Sequence, residues 1–170
     1  MVGDSTDDRV SESGMHILLV CTGNTCRSPM AEEILRRALT ARGADGVTLG
    51  SAGTGAWDGA PVSEGAYLVA LEHGLDLSAH RARLLTRELV EPANLVLTMA
   101  RHHRARVEEL GGAGKTFLLS EYAGHGRAGG PPAAEVSDPF GGQLEGYRET
   151  YDELVELLDQ VVTRLQARSG

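Results

Sequence analysis

The stretch Cys21-Thr22-Gly23-Asn24-Thr25-Cys26-Arg27-Ser28-Pro29 constrains the fold more than any other part of the chain. An apolar run, His16 to Val20, leads into it. An amphipathic pattern follows, with Met30, Ala31, Ile34, Leu35, Ala38 and Leu39 at helical spacing and Glu32, Glu33, Arg36 and Arg37 between them. Strand, tight loop and helix therefore succeed one another without a spacer. A loop that feeds a helix N-terminus turns successive backbone N–H groups inward and forms a nest for a tetrahedral oxyanion, where the helix dipole also favours negative charge. Phosphate fits such a nest. Gly23 and Asn24 tolerate the positive φ that a curled loop requires, and Pro29 suits the first helical turn, where its missing N–H costs nothing. Arg27 supplies a planar clamp for two phosphoryl oxygens.

The rest of the chain repeats this alternation. Val47 to Leu49, Leu95 to Thr98 and Thr116 to Leu119 read as further short strands. Helices are expected after Ser63, briefly after Thr86, from about Ala100 to Leu110, and from about Leu144 to Ala167, where Tyr147, Tyr151, Leu154, Leu158, Val161 and Leu165 mark one face. Strands alternating with helices imply parallel βαβ units, hence a three-layer α/β/α open sheet of about four parallel strands. A chain of 170 residues buries roughly 70% of its unfolded surface on folding, without needing metals or disulfide staples. Residues 1–14 are polar, acidic and aperiodic, and are expected to form a disordered tail ahead of one domain spanning residues 15–170. The Gly-, Pro- and Ala-rich stretch from Gly124 to Ser137 is too irregular for a helix or strand. It reads as a long loop of the kind that serves as a lid or binding segment, and it ends at Asp138-Pro139.

Charge and cysteine usage narrow the partners. Sixteen Lys plus Arg against 24 Asp plus Glu leave a formal charge of -8, which argues against a broad electrostatic grip on nucleic acid or on an anionic membrane. Any anion site must be local. The apolar run Ile17 to Cys21 is far shorter than the ~20 residues of a membrane span, no signal-like segment precedes it, and the expected location is the cytoplasm. Thiols are normally reduced there, so Cys21 and Cys26 read as chemistry more readily than as a staple. At the base of the nest, Cys21 would sit among oriented N–H dipoles, beside Arg27 and the Ser28 hydroxyl, surroundings that favour an anionic, nucleophilic sulfur. The plain alternative is a buried structural cysteine at the end of a strand. The Arg spacing, the Gly-Asn pair and the strand-loop-helix context weigh against it.

With Asp138-Pro139 far downstream, this loop resembles that of the low-molecular-weight protein tyrosine phosphatase family, and the resemblance extends over residues 15–170. Ser51-Ala52-Gly53-Thr54, Leu95-Val96-Leu97-Thr98-Met99 and the closing helix fall where that family has them. The resemblance implies Cys21 as nucleophile, Arg27 as transition-state clamp and Asp138 as general acid, with Asn24 and Ser28 supporting the loop and thiolate. Two positions depart from the tyrosine-specific pattern. Position 25 is Thr where an aliphatic residue such as Ile is usual, and Phe140-Gly141-Gly142 follows Asp138-Pro139 where two adjacent aromatics are usual. Both departures resemble the protein-arginine phosphatase branch, so the expected substrates are phosphorylated proteins, with phosphoarginine favoured and phosphotyrosine the alternative. An arsenate reductase on the same scaffold is a third reading, weakened by the lack of any cysteine after Cys26 to relay a disulfide.

The implied chemistry is in-line attack by Cys21 to give a phosphocysteine, with Asp138 protonating the leaving atom and then activating water. No cofactor or metal is called for, and a monomer is expected. The second thiol of the loop, Cys26, reads either as a redox partner able to trap oxidised Cys21 or as a loop-filling side chain. Thr22, Gly23, Asn24, Thr25, Cys26 and Ser28 complete the expected phosphate-binding loop, with Thr25, Phe140 and Trp57 as candidate specificity residues, Trp57 either walling the pocket or capping the core. Three other signals are discounted. Gly111-Gly112-Ala113-Gly114-Lys115-Thr116 lacks the spacing of a nucleotide-binding loop and reads as a helix-ending turn. The adjacent pair His102 and His103, and the arginines at 81, 83, 87, 101, 104 and 106, read as solvated surface.

Overall fold

The computed structural model describes residues 14–126 and 128–169; the expected tail, apart from Gly14, lies outside the described residues. At its centre is β1 (His16–Cys21), whose Ile17, Leu19 and Cys21 join one apolar cluster and whose Leu18 and Val20 join another. A strand buried on both faces belongs to the interior of a parallel sheet. Accordingly β2 (Thr48–Gly53) and β3 (Leu95–Thr98) flank it, β4 (Thr116–Leu118) pairs with β3, the order is β2-β1-β3-β4, and every pairing is parallel. The three-layer arrangement follows. On one face α1 (Arg27–Ala41) lays Met30, Ala31, Ile34, Leu35 and Leu39 into the larger cluster, against Leu154, Leu158 and Val161 of α6 (Leu144–Ser169). Between them along the chain come α2 (Glu64–Glu72) and α3 (Arg87–Val90), each started by a side-chain cap, Ser63 accepting from the Ala66 N–H and Thr86 from the Leu89 N–H. Leu85, Val90 and Val107 pack with Leu18, Val20 and Val96 on the opposite face.

Some boundaries differ from the sequence reading. The second strand starts at Thr48 and continues through Gly50, Ser51, Ala52 and Gly53, small residues that carry little apolar signal; at Gly53 neighbouring backbone leaves no room for a larger side chain. A Cβ on Gly53 would lie 2.3 Å from the Thr22 carbonyl oxygen and 2.9 Å from the Asn24 nitrogen. Leu119 leaves the sheet and opens a short helix, α5 (Leu119–Tyr122), whose Glu121 carboxylate accepts from the Leu118 N–H at 3.0 Å. The helix expected up to Leu110 is α4 (Arg101–Val107), ending in a wider turn over Glu108–Gly112 with Gly111 at φ 102°. Beyond it Lys115 donates from Nζ to the carbonyls of Val90, Glu91 and Ala93 at 2.8, 3.1 and 2.6 Å, which makes this lysine a tie for the end of α3. Among the described residues no helix is long and apolar enough to cross a membrane.

Candidate active site

β1 delivers Cys21 to the end of the sheet, and the chain curls through residues 22–26 before α1 begins at Arg27. Asn24 takes the left-handed conformation the curl needs, at φ 56°; Gly23, expected to share it, keeps an ordinary φ, so the turn is made at one residue. The loop lines a cavity of about 150 Å³ with Cys21, Thr22, Gly23, Thr25, Cys26 and Arg27, and Asp138 and Phe140 reach the same cavity from the far end of the chain. A larger cleft, about 590 Å³, lies elsewhere, beside Arg101, Arg104, Glu121 and Arg164. Its arginines are engaged, Arg104 with Glu121 at 2.6 Å and Arg164 over the Tyr122 ring at 4.0 Å.

Behind the cavity a chain of polar contacts fixes the loop. Asn24, fully buried, donates from Nδ2 to Ser28 Oγ at 2.8 Å and to Ser51 Oγ at 3.0 Å, while its Oδ1 accepts from the Arg83 N–H at 2.9 Å. With the Asn24 amide already donating into Ser28 Oγ, the serine hydroxyl hydrogen is left for Cys21 Sγ, 2.9 Å away. Amide, hydroxyl and sulfur thus form a directed series that ends by donating to the sulfur, an arrangement suited to a thiolate. Ser51 passes its own hydrogen to Glu32 Oε1 at 2.7 Å, and the His80 ring lies 2.9 Å from the Asn24 carbonyl oxygen.

Arg27 is buried with its guanidinium beside the cavity; Nη1 donates to the Val136 carbonyl at 3.1 Å and Nη2 lies 3.5 Å from Asp138 Oδ2. Asp138 is half exposed, and its Oδ1 accepts from the Phe140 N–H at 3.1 Å. The long loop before Asp138 is pinned at its C-terminal half: the Val136 N–H donates to the Met99 carbonyl at 2.9 Å, Glu135 accepts from the Arg101 N–H at 2.9 Å, and Ser137 Oγ donates to Glu153 at 2.8 Å. A thiol, a buried guanidinium and a half-exposed carboxyl around one small cavity are groups that can together hold and transfer a phosphoryl group. Among the described residues no group of three or more His, Cys, Asp or Glu side chains is placed to hold a metal ion.

The family model for low molecular weight phosphotyrosine protein phosphatase matches residues 16–169. The chain belongs to that family. It is 39% identical over 152 residues to the protein-arginine-phosphatase of Geobacillus stearothermophilus, covering 88% of this chain and 95% of that protein. It is also 36% identical over 153 residues to a probable low molecular weight protein-tyrosine-phosphatase, EpsP, of Ralstonia nicotianae, covering 89% of this chain and 96% of that one. Among solved structures, a cysteine-to-serine mutant of YwlE arginine phosphatase with a phosphorylated active-site serine superposes with a TM-score of 0.82 at 36% identity, over 92% of this chain and all of that one.

In this low-molecular-weight phosphatase Thr22, Gly23, Thr25 and Cys26 of the expected loop line the cavity with Asp138 and Phe140, Asn24 and Ser28 are buried behind it, and Trp57 is 84% exposed, caps no core and does not line the cavity. Cys26 is buried against Ser63 Oγ, 3.1 Å from its sulfur, with the Tyr147 hydroxyl at 3.8 Å. Reasoning from sequence missed Ser51, His80 and Arg83, whose roles depend on the fold bringing them behind the loop. Arg83 and Arg101 are exposed, as the surface reading expects, yet each also makes a local tie: the Arg83 backbone N–H donates to Asn24, and the Arg101 guanidinium donates to the Ala133 carbonyl at 2.6 Å. His102 is exposed as expected, but its neighbour His103 is fully buried, one helical step of about 100° away.

Proposed function

We propose that this protein is a cysteine-dependent protein phosphatase that prefers phosphoarginine, with residues 15–170 as its catalytic domain. The observation that carries the reading is the shared cavity of Cys21, Arg27 and Asp138, with Thr25 at its wall. Cys21 thiolate attacks phosphorus in line while the loop N–H groups and Arg27 hold the equatorial oxygens; the bond from phosphorus to the substrate atom breaks as Asp138 gives that atom a proton. Water, deprotonated by the Asp138 carboxylate, then cleaves the phosphocysteine and releases phosphate. The arginine-phosphatase relatives, and the phosphorylated active-site serine in one of them, support both the substrate and an enzyme-bound phosphoryl group. Phosphotyrosine is the second reading, favoured by Phe140, 71% exposed and lining the cavity, whose face suits an aromatic ring as well as a guanidinium.

Thr25 tests the choice. Its Oγ1 lies on the Gly23 side, 3.4 Å from where a Cβ on that glycine would stand. Isoleucine there adds apolar bulk to the wall and removes the hydroxyl. Thr25→Ile is expected to lower kcat/KM for a phosphoarginine peptide and to raise the phosphotyrosine to phosphoarginine ratio by about 10- to 200-fold. An unchanged ratio, or a wild type that already prefers phosphotyrosine, replaces the arginine reading with the tyrosine one.

The same reading gives Cys26 a protective role. Both cysteines are free and line one cavity. Peroxide converts Cys21 thiolate to the sulfenic acid, and attack by the Cys26 thiol then forms the disulfide and expels water, ahead of irreversible oxidation. Reversible inactivation is the expected result, with a peptide linking Cys21 to Cys26 in the mass spectrum and full recovery in a thiol reductant. Finding only sulfinic or sulfonic Cys21 rejects the role. The reading places the protein in the cytoplasm, where both thiols stay reduced between oxidative episodes.

A further inference from the structure

His103 occupies a place that neither its sequence neighbourhood nor the chemistry above explains. It is fully buried on α4, and its Nε2 lies 2.7 Å from Oγ1 of Thr22, the residue that follows Cys21. Its other ring nitrogen, Nδ1, is buried without a hydrogen-bond partner among the described residues. Thr22 itself is exposed to the cavity that Cys21 and Arg27 line, and its methyl faces Gly55, where a Cβ would stand 4.0 Å away. A buried histidine thus grips the side chain of a cavity residue from behind.

The ring is neutral across the physiological range: burial first, then His102 and Arg27, push its pKa down to about 3. A neutral imidazole carries one hydrogen, on either nitrogen. An orphaned buried N–H is the rarer and costlier defect, so the bare nitrogen belongs at Nδ1 and the hydrogen at Nε2. Nε2–H then donates to Thr22 Oγ1. With a lone pair of that oxygen occupied from behind, its own hydrogen is free to turn into the cavity.

We propose that His103 is a positioning residue that orients the Thr22 hydroxyl as an additional donor to the phosphoryl group held by the loop. The inference rests on the phosphatase reading but not on the leaving group, since the contact is to phosphoryl oxygens shared by every substrate. It also accounts for a polar side chain beside Cys21 in a position where the loop backbone alone would suffice to form the nest.

The experiment measures competitive inhibition by inorganic phosphate, and kcat/KM on an aryl phosphate, in the full-length protein. Thr22→Val, which keeps the shape and removes the hydroxyl, is expected to weaken phosphate inhibition by about 10-fold or more, the usual loss for a hydrogen bond to a charged group. Thr22→Ser should restore it. His103→Leu is expected to weaken inhibition several-fold, and His103→Gln, which returns an N–H near the Nε2 position, should recover most of the loss. Adding His103→Leu to Thr22→Val should cost nothing further, because the group it orients is already gone. Thr22→Val with phosphate inhibition within twofold of wild type overturns the proposal. So does a His103→Leu effect of equal size with and without the hydroxyl, or one that lowers only the melting temperature. Should His103→Leu fail to fold, the Val and Ser variants at position 22 and His103→Gln decide alone. Thr25→Ile failing to shift substrate preference leaves this result untouched, so the two readings fail separately.

Discussion

Cys21→Ser is expected to reduce turnover by about 10⁴-fold or more while leaving inhibition by phosphate or vanadate measurable. The two halves of that result come from different parts of the site. In the proposed mechanism anion binding is the work of the loop N–H groups and of Arg27, which is held by the Val136 carbonyl and does not depend on the sulfur. Attack belongs to the sulfur alone, because a serine hydroxyl stays protonated at neutral pH and the Ser28 hydroxyl that donates to Cys21 at 2.9 Å supplies no base to activate it. Substantial residual turnover in the serine variant, measured after excluding contaminating wild type, would remove Cys21 from the mechanism. Loss of phosphate binding together with turnover would instead mean that the loop had collapsed.

Asp138→Ala is expected to cost about 10²–10⁴-fold in kcat on substrates whose leaving group needs a proton, phosphoarginine included, and distinctly less on an activated aryl phosphate. Stability should hardly change. The carboxylate is 53% exposed and lies 3.5 Å from Arg27, a geometry worth at most about 1 kcal/mol in a solvent-screened pair. An activity loss with an unchanged melting temperature is therefore the signature of lost chemistry. Equal losses on the two kinds of substrate would show that Asp138 merely positions Arg27 and does not deliver a proton.

What was legible in the sequence was what lies close along the chain. The curl from Cys21 to Pro29, the helix behind it and the buried centre of the sheet are written in adjacent residues, in periodicity and in the demands of one positive φ. Asp138 was found through a resemblance and a proline, since nothing local to a carboxyl at the end of an irregular loop announces an acid. Asn24 and Ser28 were legible as supports through the same resemblance, but the supports from outside the loop were not. Ser51, His80 and Arg83 meet Asn24 across 27, 56 and 59 positions of sequence, and polar side chains that find one another only after the sheet has formed leave no periodic trace. His103 was hidden for a related reason: two adjacent histidines on a polar, arginine-rich helix look alike until the helix is docked, and docking buries one and leaves the other in water.

Gly53 carries no functional group, and its place at the end of β2 leaves no space for one against the Thr22 carbonyl and the Asn24 nitrogen. Its N–H and carbonyl are taken by Arg83 and Leu85, while the next two residues bond back to the carbonyls of Cys21 and Thr22 at 3.0 and 2.9 Å. The loop proposed to cradle the anion is in this sense a cast of the neighbouring strand: the contacts that hold β1 beside β2 also hold its contour. A larger side chain at position 53 would therefore disturb the edge of the sheet and the loop together.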